Sequence, residues 1–141
     1  MSLCALVYVS LATKEMSDQD LQILLKFARV KNERLGITGL LLYRDGFFMQ
    51  ALEGEEETVD ALFARIRQDT RHREVLLVYK ETIKARSFPD WSMGFNKMGT
   101  QDLEKLEGFN EFLTQPAPDF FTGQPAKAKA LLHNFRNHLF F

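Results

Sequence analysis

The dipeptide Asp45-Gly46 separates two strongly apolar runs, Ile37–Tyr43 and Phe47–Leu52. An Asp-Gly step in that setting is a hairpin signal, because the tight turn between twisted antiparallel strands needs positive φ that few other residues adopt cheaply. Two paired strands are therefore expected mid-chain, and the rest must be arranged around them. Upstream, Leu3–Leu11 is rich in Val and Leu and reads as a buried strand, with Cys4, Leu6 and Tyr8 on one face. Ser17-Asp18-Gln19-Asp20 has the form of a capping box with Asp in its third position. Leu21, Leu24, Leu25 and Ala28 follow at helical spacing, and Ile23, Phe27 and Val30 add a second apolar stripe. A helix this apolar is expected to touch the sheet and, besides it, another helix or a ligand. Gly36 is its expected stop.

Downstream of the hairpin, Glu55, Glu56 and Glu57 place acid at a second helix's N-terminus, where the helix dipole favours it. Val59, Leu62, Phe63 and Ile66 form that helix's apolar stripe. Val75–Thr82 reads as a fourth strand and Trp91–Lys97, after Phe88-Pro89-Asp90, as a short fifth. The order βαββαββ predicts an α+β, ferredoxin-like fold: one sheet with two helices on one face. Beyond Met98, Gln101–Leu113 admits a helix, Thr114–Pro125 holds three of the four prolines and reads as a turn or linker, and Ala126–Leu139 reads as a last helix. The expected division is a first domain over residues 1–98 and a C-terminal helical extension over 99–141.

The bulk numbers remove several function classes. With 18 basic and 19 acidic residues the net charge is −1, which gives no electrostatic footprint for nucleic acid. No apolar run approaches the ~20 residues that span a bilayer. The start, MSLCALVYVSLATK, lacks a charged segment ahead of its apolar stretch and reads as a strand rather than a signal peptide. A single cysteine, Cys4, excludes an internal disulfide and fits a reducing cytoplasm. No metal-ligand spacing is expected.

Tyr8, Asn32, Gln50, Trp91 and Met93 are polar or soft residues set inside segments that otherwise read as core. Gln50 lies between Phe48 and Leu52 on one strand face, and a buried glutamine needs partners for both its donors and its acceptor. A tyrosine on a neighbouring strand can supply one; a heteroaromatic ligand with mixed donors and acceptors can supply the rest. Taken singly, each residue has an ordinary reading. Tyr8, Trp91 and Met93 are core fillers, and Arg65, Arg67, Arg71 and Arg73 suit a solvated helix end.

Together and in this order, LVYVS with Tyr8, KN with Asn32, LGITGLLLY, FFMQALEGE with Gln50, RIRQDTRHR, LLVYKE and FPDWSMGF resemble the BLUF family, blue-light sensors that use FAD, from about Leu3 to Met98. The resemblance implies that residues 1–98 form a flavin-binding photosensor domain, with the flavin in the groove between the two helices. FAD is the expected cofactor, with FMN or riboflavin as alternatives. The resemblance puts Gln50 at flavin N5 and the C4 carbonyl, Tyr8 on Gln50, Asn32 at the N3–C4 edge, and Lys31 and Arg71 near the C2 carbonyl. Leu24 and Ile66 would sandwich the ring, Arg65, Asp69 and His72 would face the ribityl and phosphate end, and Met93 and Trp91 would compete for the space beside Gln50. Lys31 and Leu24 depart from the family's usual Asn or His and Ile. The implied photochemistry moves an electron and a proton from Tyr8 through Gln50 and back, leaving a rearranged glutamine and a small, reversible red shift.

The chain is then a sensor and not an enzyme. Residues 99–141 hold no expected cyclase, phosphodiesterase or DNA-binding module, so output would pass to an unknown protein partner or through a homo-oligomer. The tail's Phe120, Phe121, Phe140 and Phe141 are candidates for that interface or for a cap on the sheet. Three rivals remain. An acylphosphatase-like hydrolase needs a Gly-rich anion loop that Gly36 and Gly39 do not form. A regulatory module with a colourless ligand is separated by the visible spectrum. Cysteinyl–flavin adduct chemistry would have to use Cys4, the only thiol.

Overall fold

In the computed structural model, which describes residues 2–98, 121 and 123–135, the hairpin forms as expected. Asp45 and Gly46 have φ of 46° and 86°, and they join β2 (Thr38–Arg44) to β3 (Phe47–Glu55), with Arg44 facing Phe47 across the turn. The capping box closes α1 (Asp18–Leu35): Asp20 N donates to Ser17 Oγ, and Ser17 N donates to Asp20 Oδ2, each at 3.1 Å. Gly36 ends the helix in the left-handed region at φ 69°. The remaining elements are β1 (Leu3–Ala12), α2 (Glu56–Gln68), β4 (His72–Thr82), β5 (Gly94–Lys97) and α3 (Pro125–Phe135).

The five strands lie in the order β4-β1-β3-β2-β5. All pairings are antiparallel except β2 with β5, which is parallel. This is the ferredoxin-like order with an added edge strand. β1 pairs with β3 so that Tyr8 stands opposite Gln50. Directly opposed residues point to the same face of a sheet, so the register alone puts these two side chains together.

Three boundaries differ most from those expected. β4 begins at His72, not Val75. β3 runs on to Glu55 because Leu52–Glu55 still pair with Leu3–Leu6 of β1. β5 starts at Gly94, not Trp91. Residues 91–93 are held by other elements instead: Gly39 N donates to Trp91 O at 3.0 Å, Asn32 Nδ2 to Ser92 O at 2.8 Å and Arg29 Nε to Met93 O at 2.8 Å. The start of the β4–β5 connection is pinned to β3. The Glu53 carboxylate, only 2% exposed, accepts from the backbone N–H groups of Ser87 and Phe88 at 2.8 Å each.

Alternation along the strands divides the core into two layers. Cys4, Leu6, Tyr8, Leu41, Phe48 and Leu52 face α1 and α2. Val7, Val9, Leu40, Leu42, Met49 and Ala51 face the other way. There they meet Ala128, Leu131, Leu132 and Phe135 of α3, and Phe121 packs on Phe47 with ring centroids 5.9 Å apart. Of the two roles expected for the tail's apolar residues, those described act as a cap on the sheet. The helix expected over Gln101–Leu113, most of Thr114–Pro125, and Phe120, Phe140 and Phe141 lie outside the described residues.

Candidate functional site

Burying two amides and a phenol on one side of a β-sheet requires partners for each of them. The Tyr8 hydroxyl donates to Gln50 Oε1, and Gln50 Nε2 approaches Met93 Sδ at 3.4 Å. Tyr8 is 1%, Gln50 8% and Asn32 2% exposed. An amide offers two N–H donors and two acceptor lone pairs. Gln50 therefore keeps one N–H and one lone pair in hand after these contacts, and Asn32, donating to Ser92 O, keeps its Oδ1.

What those groups face is a cavity of about 270 Å³ between α1 and α2, floored by β1 and β3. Its apolar walls include Leu24 from α1 and Ile66 from α2; its inner end holds Tyr8, Asn32 and Gln50. The rest of the lining carries Lys31, Arg65, Asp69, Arg71 and His72. All ten residues named from the sequence as flavin contacts thus line one space. Leu24 and Ile66 arrive by helical periodicity, Tyr8 and Gln50 by strand register, and Asp69–His72 by the turn from α2 into β4. Met93 stands beside Gln50, buried in the helix-side layer. Trp91, the expected rival, lies outside that space in this structure, against the opposite layer, and stacks on Phe88, ring centroids 5.6 Å apart.

The electrostatics follow from burial and pairing. Burial pushes the Tyr8 phenol well above its ordinary pKa. The Asp69 carboxyl is held down to about 2, chiefly by its hydrogen bonds from Arg71, of which the shortest is Nη2 to Oδ2 at 2.6 Å. Arg71 is raised in turn, first by that same bond. His72 sits within the wall, its Nδ1 2.9 Å from the fully buried Ser10 Oγ and its ring edge-on to Tyr8 at 6.3 Å. Burial lowers its pKa, against a smaller opposing pull from Asp69.

These residues fit a planar heteroaromatic ring with mixed donors and acceptors: unspent amide capacity at one end, branched aliphatic walls above and below, cations at the rim. Among the described residues no group of three His, Cys, Asp or Glu could hold a metal ion. No described helix is long and apolar enough to cross a membrane. Sequence reasoning missed Ser10 and Arg29. Ser10 was findable, two residues from Tyr8 on the same strand face. Arg29 lies one turn before Asn32 on the same helix face, but its target, a main-chain carbonyl in another segment, cannot be read from residue order.

Comparison with known proteins bears on this geometry. Residues 3–94 match the family model BLUF, described as sensors of blue-light using FAD. The beta subunit of a photoactivated adenylate cyclase from Euglena longa is 41% identical over 93 residues, 65% of this chain and 11% of that protein. The chain thus matches only about a tenth of that relative's length. Among solved structures, the photo-activated state of BlsA superposes with a TM-score of 0.74 at 32% identity, covering 93% of this chain and 92% of that one. The dark state of BlrB, a BLUF protein, gives 0.69 at 36% identity, covering 92% and 96%.

Proposed function

This chain belongs to the BLUF family of flavin-binding blue-light sensors, and from that premise we propose that it binds FAD non-covalently and signals through a Tyr8–Gln50–Met93 relay. The observation that carries the reading is the hydrogen-bonded line from the Tyr8 hydroxyl through Gln50 to Met93 Sδ at the inner end of the cavity. Leu24 and Ile66 would hold the ring. Gln50 and Asn32 would meet its polar edge, with Lys31 and Arg71 near the C2 carbonyl. Arg65, Asp69 and His72 would lie toward the ribityl and phosphate end, and the cations at the rim favour a phosphate-bearing flavin over riboflavin. The bound flavin would supply blue-light absorption and an excited state that takes up an electron and a proton.

Tyr8 is the donor of both. Burial makes phenolate formation alone unfavourable, so its proton leaves with its electron and passes to Gln50, the group its hydroxyl already contacts. When electron and proton return, Gln50 is left rotated or tautomerised. Its N–H and oxygen then face new partners, which shifts the absorption slightly to the red without a covalent adduct. Cys4 takes no part: it is buried at the start of β1 and outside the cavity. The chain acts as a sensor domain over residues 1–98 with an extension over 99–141, working in the cytoplasm through a partner protein or a second copy. The colourless-ligand and acylphosphatase-like readings have no support beside the family match.

The test is an absorption spectrum of purified, flavin-loaded protein before blue light, after it and during dark recovery. A reversible red shift is expected. Folded protein that stays colourless with flavin overturns the proposal, and bleaching in place of a shift favours adduct or reduction chemistry.

A further inference from the structure

Residues 91–93 are each held through a backbone carbonyl. Gly39 N binds Trp91 O, Asn32 Nδ2 binds Ser92 O, and Arg29 Nε binds Met93 O at 2.8 Å. The Trp91 side chain stacks on Phe88, and the Met93 side chain is engaged, through Sδ, by Gln50 Nε2. One residue therefore touches the photoactive amide with its side chain and α1 with its carbonyl. Arg29 and Asn32 stand three positions apart on α1, so they present one helix face to two consecutive carbonyls. Their donors differ in kind. Asn32 also lines the cavity, whereas Arg29 does not. Arg29 is half-buried, and it reaches Met93 with a charged, rigid group whose hydrogen bonds are stronger than neutral ones.

We propose that Arg29 is the positioning residue that carries a rearrangement at Gln50 out to α1. A thioether sulfur accepts hydrogen bonds and cannot donate them. If the Gln50 amide inverts, its oxygen replaces its N–H at Sδ, and the contact that seats Met93 becomes repulsive. Met93 then shifts, and its carbonyl pulls on or lets go of the guanidinium. The end of α1 that carries Lys31 and Asn32 responds, so output leaves through this helix as well as through the strand that begins at Gly94. This inference rests on the relay proposed above.

Amide hydrogen exchange of the flavin-loaded full chain, in dark and under blue light, tests it, with the absorption red shift followed in the same samples. In the unmodified chain, light is expected to change exchange in α1 around residues 26–33 several-fold. Arg29→Leu is expected to keep the red shift while losing that response, and to raise dark exchange across 91–94 even without flavin. Arg29→Lys, which can still donate to Met93 O, is expected to restore part of both. An α1 response that persists undiminished in Arg29→Leu overturns the inference, as does a normal red shift with no α1 response in the unmodified chain. Loss of the red shift itself in the unmodified chain overturns the relay and this inference with it. Should Arg29→Leu prove too unstable to purify, Arg29→Met, which keeps the apolar stem and lacks a donor, takes its place: a kept red shift with a lost α1 response supports the inference, and an undiminished α1 response overturns it.

Discussion

The two faces of this sheet are made by the same strands and do opposite things. Met49 and Gln50 are neighbours on β3, both essentially out of solvent. Met49 points into a layer of Val7, Val9, Leu40, Leu42 and the apolar stripe of α3. Gln50 points into a layer where Tyr8, Asn32, Ser10 and His72 hold polar atoms in specific pairs. The first layer can be filled by anything apolar of the right volume. The second tolerates no such exchange, because each polar atom removed strands another. Stability and light response are thus separable on one strand, one residue apart.

That separation breaks most sharply at the relay. Tyr8→Phe should keep the ring packing against Phe63, lose the red shift entirely, and cost about 1–3 kcal/mol for the Gln50 acceptor it strands. Gln50→Leu should also abolish the shift. A normal photocycle in either variant would refute the relay. The opposite layer should give the reverse result. Phe135→Ala, at a fully buried α3 position, should cost about 3–5 kcal/mol in thermal or denaturant unfolding while the folded fraction keeps its shift. An altered shift there would mean the layers are coupled.

Gly39 sits where the two effects meet. A Cβ added to it would lie 1.9 Å from Ala51 O and 3.3 Å from Met93 Cε. Gly39→Ala should therefore destabilise by about 1–3 kcal/mol, as overpacking does, and should also change the rate of dark recovery, since Met93 must yield. Unchanged recovery kinetics would place Met93 outside the photocycle. A smaller effect comes from acid. Burial holds the pKa of His72 below its ordinary value, so the unfolded chain takes the proton more readily than the folded one. Stability should be full above about 6.5 and fall as pH drops below it, and His72→Gln should flatten melting temperature against pH there. Asp69 adds a second loss in the same direction, between about 4 and the folded value of about 2. Cys4→Ala should leave the shift and its decay unchanged.

Much of this arrangement was legible from residue order. Strand alternation gave the faces of Tyr8 and Gln50, the fold made their strands neighbours, and the family resemblance set the one on the other. Helical periodicity put Leu24 and Ile66 in the apolar stripes of their helices, and the resemblance opposed them across one groove. Trp91 and Met93, expected as rivals for the space beside Gln50, stand apart in this structure for a definite reason. Read as a strand, residues 91–97 would put Trp91 and Met93 on one face, two apart. The backbone is not extended into the sheet until Gly94, so the two side chains diverge into opposite layers. Arg29 escaped notice because a helical arginine ordinarily snorkels to water. Its target, a main-chain carbonyl in another segment, leaves no trace in the sequence.

β5 is four residues long and, among the described strands, pairs with β2 alone, through four parallel pairs. Parallel pairing is slightly weaker per residue than antiparallel. Unzipping it breaks few bonds and leaves the hairpin intact, so this segment opens at lower cost than the chain as a whole, although Phe95 and Asn96, 3% and 1% exposed, are uncovered with it. A fluctuating minority of molecules with β5 detached is then a standing part of the thermal ensemble. A bias of only about 1.4 kcal/mol at Met93 multiplies or divides that minority about tenfold.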